Sequence, residues 1–203
     1  MSPRHHGTDA TRTRVLDDAL TVYGHQGPDG FTMTAVIGQS GASNGSLYHH
    51  FGSFDGLSAA LYARCMARLL DALLDALEPG HDARQGIEAV VRAYLRFTRE
   101  HRTAAMFIHA SAYATFLPAH SATIAAEKQP RIARLLAWLQ PHLDSGEIAP
   151  LPVPLIEMLL IGPVAETARR WLAGDPTIDL TRAEAVLPAR VWRSLHAEDD
   201  HRA

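Results

Sequence analysis

The sequence predicts an all-α chain of about nine helices, and two observations predict it. Apolar residues recur at i, i+3, i+4 spacing over most of the chain and no segment reads as strand; the interruptions fall at glycine, proline or a helix-capping residue. The 203 residues are 47% hydrophobic and 20% charged, enough for a sizeable core, and no apolar run approaches the ~20 residues of a membrane span. Met1 to Ala10 has no apolar stretch of the kind that directs secretion, so a cytoplasmic protein is expected.

The first helix is expected over Thr11 to Gln26, where Val15, Leu16, Ala19, Leu20, Val22 and Tyr23 repeat at helical spacing and Gly24, Gly27 and Pro28 close the run. A Gly-Pro-Asp-Gly turn leads to Thr32, an N-cap for a short helix through Val36 and Ile37 that stops at Gly41. Ser43 then caps a third helix, Asn44 to Phe51. Ser53 caps a long helix to Leu77, ended by Glu78-Pro79-Gly80, that connects the N-terminal module to the rest. Further helices are expected over Ile87 to His101, over Thr103 to Leu117 before Pro118, and from about Pro130. After the connector holding Pro150, Pro152 and Pro154 come Leu155 to Ala173 and Thr181 to His196, the latter opened by a Thr181–Glu184 capping box. Pro163 and Pro188 should kink these last two helices.

Two short helices joined as tightly as 32–40 and 44–51 form a helix-turn-helix. Gly41 suits the left-handed turn, and Gly45 would let the second helix approach a backbone closely. Leu47 and Phe51, four apart, face a core with Val36, while Asn44, Ser46, Tyr48 and His49 point outward as hydrogen-bonding groups. The run Thr32 to Ser53, with Gly41-Ala-Ser43, Gly45-Ser-Leu-Tyr48 and His49-His50-Phe51 in register, resembles the signature of TetR-family bacterial regulators. That resemblance implies that Tyr48 and His49 meet DNA phosphates, that Thr34, Asn44 and Ser46 stand nearest the base edges, and that Thr32 anchors its helix on the DNA backbone. With Ser43, Gly45, Arg12 and Arg14, these are the candidate DNA-binding residues.

The charge pattern departs from the family. Where a lysine is usual stand Asn44 and Phe54, the latter read as an aromatic packing the module onto the long helix. From Gly24 to Ala63 there is no Lys or Arg, and residues 1–64 hold one more acidic than basic side chain in a chain of net charge −3. Affinity for DNA must then come from backbone amides, helix N-termini, neutral donors and the arginines Arg4, Arg12 and Arg14, with a shallow salt dependence.

The expected division is a DNA-binding domain over 1–53 and a ligand-binding and dimerisation domain over 54–203. The closing helices, with Leu160, Val164, Trp171, Val191, Trp192 and Leu195, resemble the pair through which TetR-like proteins form a homodimer. Met66, Met106, Phe107, His109, Tyr113, Phe116, Trp138 and Met158 mix soft apolar and aromatic groups with few polar ones, the lining expected of a pocket for a small apolar effector; the same residues also suit plain core. Cys65 reads as a buried structural thiol. No cofactor or metal is expected: His101, His109 and His120 lack the i, i+4 spacing of paired ligands. The leading reading is a ligand-responsive repressor binding a palindromic operator in double-stranded DNA. A DNA-binding or interaction protein without effector is the alternative, and a helical enzyme using Glu127, Glu157 or Glu166 lacks any nucleophile and base arrangement.

Overall fold

The apolar spacing of residues 15–23 becomes a buried helix face in the computed structural model, which describes residues 3–77, 79–112 and 114–197, with side chains from residue 10. Among the described residues ten helices follow one another, α1 (Pro3–Gly30), α2 (Met33–Ser40), α3 (Asn44–Phe51), α4 (Phe54–Asp75), α5 (Ala83–Glu100), α6 (Arg102–Ala110), α7 (Phe116–Ala119), α8 (Ser121–Asp144), α9 (Val153–Leu172) and α10 (Leu180–Leu195). No strand occurs among the described residues, so the all-α expectation holds.

Several boundaries differ from expectation for local reasons. Helix α1 is interrupted at Gly27, whose φ of 70° only glycine enters without strain. Helix α5 starts four residues early because Asp82 caps it in a reciprocal box: its carboxylate accepts from the Gln85 amide at 2.7 Å, and the Gln85 side chain accepts from the Asp82 amide at 3.1 Å. The expected Thr103–Leu117 helix divides into α6 and α7, since Pro118 would clash with the carbonyl of Ala114 in a continuous helix and instead sits in the first turn of α7.

Helix α8 starts at Ser121, nine residues before Pro130, and runs through both Pro130 and Pro141. Helix α10 is capped by Asp179, which accepts from the Thr181 and Arg182 amides at 2.8 and 3.3 Å. This carboxylate displaces the expected Thr181–Glu184 box, and Glu184 pairs with Arg99 of α5 at 2.9 Å instead. Pro163 and Pro188 lie inside α9 and α10, which continue past them.

By packing, the chain forms two compact units, residues 1–66 with 106–127, and residues 67–105 with 128–203. In the first, α1 packs on α2, and Val15, Leu16, Val36, Leu47, Leu57 and Leu61 are fully buried. A second cluster there joins Ala59, Ala63 and Ile124, with Tyr62, Phe116 and Leu117 against it. In the second unit α10 packs on α5 and α9, and Ile87, Val91, Leu95, Ile148, Ile156 and Leu195 are fully buried. Arg131 makes a two-pronged ion pair with Asp71, at 2.8 and 2.9 Å. Cys65 is buried, as its apolar neighbours imply.

Candidate nucleic-acid interface

The helix-turn-helix is fixed by a chain of short-range caps. Thr32 Oγ1 accepts from the Ala35 amide at 3.2 Å and starts α2. Gly41, at φ 62°, ends it in the left-handed conformation with its N–H on the Ile37 carbonyl at 3.0 Å. Two residues later Ser43 Oγ accepts from the Ser46 amide at 3.2 Å and starts α3. Gly52 closes α3 with its N–H on the Tyr48 carbonyl at 2.9 Å, and Ser53 Oγ accepts from the Gly56 amide at 3.0 Å to open α4. A Cβ at Gly56 would stand 2.0 Å from the Phe51 carbonyl oxygen, so only glycine lets α4 leave α3 this closely.

Burial sorts α3 into two faces. Leu47 and Phe51 are buried, with Val36 of α2 buried in the same unit. Asn44, Gly45, Tyr48 and His49 are exposed, as are Thr32, Thr34 and Ser43, while Ser46 is half-buried. Tyr48 is 49% exposed, a large solvent-facing share for an aromatic side chain beside a well-filled core. A Cβ at Gly45 would meet nothing within 4 Å, so no packing within the chain calls for glycine there.

The cations are few and partly committed. Arg64 donates to the Thr13 carbonyl at 2.6 Å and to Asp17 at 2.5 Å, tying α4 to α1. Arg12 is half-buried with its guanidinium over the Phe51 ring, 5.7 Å from the centroid, and Arg14 is exposed. Arg12, expected among the DNA-binding residues, is thus partly committed to this ring, a contact of which its separation from Phe51 along the chain gives no signal.

The expected effector residues serve several different surroundings. Phe107 is core: its ring meets Tyr23 edge-on at 4.8 Å and Phe31 at 5.6 Å, and Phe31 in turn touches Phe54 at 5.2 Å. Burial also pushes the Tyr23 phenol up, keeping it neutral. Phe54, in the place of a usual lysine, therefore packs the module as expected. Met66, Met106, His109 and Phe116 are half-buried in the first unit, Phe116 against the Ala59–Ala63–Ile124 cluster. Trp138 belongs to the second unit, its ring filling the space over Gly86 and lying 4.7 Å from His142. Met158 is 66% exposed, so it lines no interior pocket of the isolated chain. Tyr113 lies outside the described residues.

Of the expected dimer residues, Val164, Val191 and Leu195 are buried within their own unit, on helices α9 and α10, which pack on each other. These three side chains are core, not surface. Leu160, Trp171 and Trp192 are half-buried, with Arg102 over the Trp171 ring at 4.6 Å and His196 5.0 Å from the Trp192 ring. The apolar side chains exposed on this helix pair are Val153, Leu155 and Met158 on α9 and Val186 on α10. Leu155 and Met158 stand three apart, and the exposed stripe continues through Gly162, Glu166 and Arg169.

Comparison with known proteins agrees with this geometry. Residues 15–61 match the family model for bacterial regulatory proteins of the tetR family. The HTH-type transcriptional repressor KstR2 of Rhodococcus jostii is 28% identical over 102 residues, a match that spans about half of this chain and half of that protein. A TetR family transcription regulator from Marinobacter aquaeolei superimposes with a TM-score of 0.76 at 20% identity, over 95% of this chain and 99% of its own. The regulator FadR of Bacillus subtilis, solved with stearoyl-CoA, does so with a TM-score of 0.71 at 17% identity, over 91% and 99%. The helix-turn-helix of this chain matches the family model for bacterial regulatory proteins of the tetR family, and its fold is that of solved TetR-family regulators.

Proposed function

We propose that the protein is a transcriptional repressor, not an enzyme, that binds a palindromic operator as a homodimer through residues 1–53 and is released by a small, largely apolar effector bound within residues 54–203. The observation that carries this reading is the two-faced α3, which buries Leu47 and Phe51 and turns Asn44, Tyr48 and His49 to solvent on a helix with capped ends. A helix held this way is suited to lie in a major groove with neutral donors on phosphates and base edges.

Dimerisation is supported by the exposed apolar stripe on α9 with Val186 on α10, which a second copy would cover isologously. The effector class is supported by the half-buried Met66, Met106 and Phe116 of the first unit and by the FadR of Bacillus subtilis, which was solved with stearoyl-CoA. An effector that favours a separation of the two recognition helices other than the operator's lowers DNA affinity by its differential binding. As a bacterial DNA-binding protein it would work in the cytoplasm.

Selection of genomic fragments with the purified protein, followed by footprinting, tests the proposal. The expected result is protection of a palindrome with half-sites about one helical turn apart, ~10 base pairs centre to centre. Failure to enrich any fragment, or protection without two-fold symmetry, would overturn it.

A further inference from the structure

We propose that Asn44–Gly45 is a site of spontaneous covalent modification: the asparagine at the start of α3 deamidates through a cyclic imide, and the product loses its grip on DNA. The loss of grip rests on the DNA-binding reading above; the modification itself does not. Asn44 is the single asparagine among the 203 residues, and the residue that follows it is glycine. Asparagine is thermolabile because its side-chain carbonyl carbon lies within reach of the next residue's backbone nitrogen. A side chain on that next residue crowds the five-membered ring being formed, and glycine has none.

The fold leaves both reacting groups available. Asn44 and Gly45 are exposed, and neither the Asn44 carboxamide nor the Gly45 N–H has a hydrogen-bond partner among the described residues. They are the first two residues of α3, whose opening amides have no intrahelical acceptor. The Ser43 hydroxyl is taken by the Ser46 amide at 3.2 Å and the Ser43 carbonyl by the Leu47 amide at 3.1 Å. Nothing stands within 4 Å of the point a Cβ on Gly45 would reach, so the chain puts no wall beside this peptide. Asp55–Gly56 could cyclise by the same route and makes the contrast. There the glycine amide is donated to Ser53 Oγ at 3.0 Å, and the Phe51 carbonyl closes the space.

Helical geometry opposes the attack, so the reaction runs through opening of the first turn of α3, which the two Ser43 bonds hold shut. In the open turn the Gly45 nitrogen loses its proton to hydroxide and forms a bond to Asn44 Cγ. The Cγ–Nδ2 bond breaks, and the leaving nitrogen takes a proton from water and departs as ammonia. Water then opens the imide at either carbonyl, giving aspartate or isoaspartate. Aspartate places a negative charge that the helix dipole favours and DNA phosphates repel. Isoaspartate routes the main chain through the side-chain carbons, which puts the Ser43 cap out of register with the Ser46 amide.

The test incubates the full-length, untagged protein at mildly acid and mildly alkaline pH. Peptide mass spectrometry follows position 44, and fluorescence anisotropy follows affinity for a mixed-sequence duplex at fixed salt; a peptide of residues 41–48 sets the unprotected rate. Asn44 should convert, faster at alkaline pH. Ser43→Ala should convert about fivefold faster, the effect of losing a typical cap, and Gly45→Ala should keep its amide. Fresh Asn44→Asp should melt no lower than the wild type yet bind duplex about fivefold or more weakly per protomer. On ageing, the wild type should lose affinity in step with conversion, while Asn44→Gln, whose ring would need six members, keeps its own fresh affinity.

An Asn44 that keeps its amide in the protein while the peptide converts would overturn the modification site. Conversion without loss of affinity, with Asn44→Asp binding as tightly as fresh wild type, would overturn its consequence for DNA. Absence of duplex binding by the fresh wild type, even at low salt, would remove the DNA-binding reading and that consequence together, and leave the modification standing on the mass spectrum.

Discussion

Gly86→Ala destabilises the second unit by about 1–3 kcal/mol, although alanine is the better helix former. A Cβ at this position stands 2.0 Å from Cζ2 and 2.4 Å from Cη2 of Trp138, well inside contact distance. The ring lies against His142 and α5 is buried at Gly86, so the indole must leave its site or the two helices must part. Against this stands the helix-propensity gain of roughly 0.5–1 kcal/mol for replacing a glycine inside a helix. Overpacking wins because a rigid bicyclic ring cannot give way by the needed distance through a small rotation. The sign reverses once the ring is gone. In a Trp138→Ala background the same Gly86→Ala change should stabilise, and urea unfolding of the four proteins measures the coupling. Equal effects in both backgrounds would show that the indole does not set the cost.

Phe107→Ala is expected to cost about 3–5 kcal/mol, and its damage should fall on the unit that holds the DNA-binding module. Its side chain is 3% exposed and meets both Tyr23 of α1 and Phe31, one of the two residues between α1 and α2. Removing it leaves Tyr23 and Phe31 facing a void and loses two edge-on aromatic contacts, each worth about 0.5–1.5 kcal/mol beyond the area buried. Phe107→Leu, which keeps most of the volume, should retain much of the stability. A thermal melt separates this reading from the effector role expected of Phe107. As a pocket lining its loss would alter ligand affinity with little change in melting temperature, whereas as core it lowers the melt of the ligand-free protein.

The sequence exposes this protein's local logic better than its long-range packing. Gly41, Ser43 and the Leu47–Phe51 pair were readable because each acts on neighbours within a turn, through a capping oxygen, a positive φ or a four-residue period. The whole helix-turn-helix follows from such terms. Phe107 and Val164 were not readable as core, because an apolar residue at helical spacing looks the same whether it faces its own chain, a ligand or a second copy. Burial separates these cases: Val191 and Leu195 went inside, and Met158 came out. Competition between caps also escaped the sequence, as at α10, where Asp179 rather than Thr181 takes the amides. Both patterns satisfy the rules, and the carboxylate two residues earlier prevails.

The central claim is that the outward face of α3 is what meets DNA, and Tyr48 is its most prominent side chain. Binding of a genomic fragment recovered by selection, compared between the wild type and Tyr48→Ala, tests it most directly. Because Tyr48 is half exposed and contributes little to the core, the two proteins should melt together. Loss of a hydrogen bond to a charged phosphate should weaken binding about tenfold or more per protomer. Equal affinity with unchanged stability would contradict the account, leaving α3 as architecture and moving the search for function to the second unit.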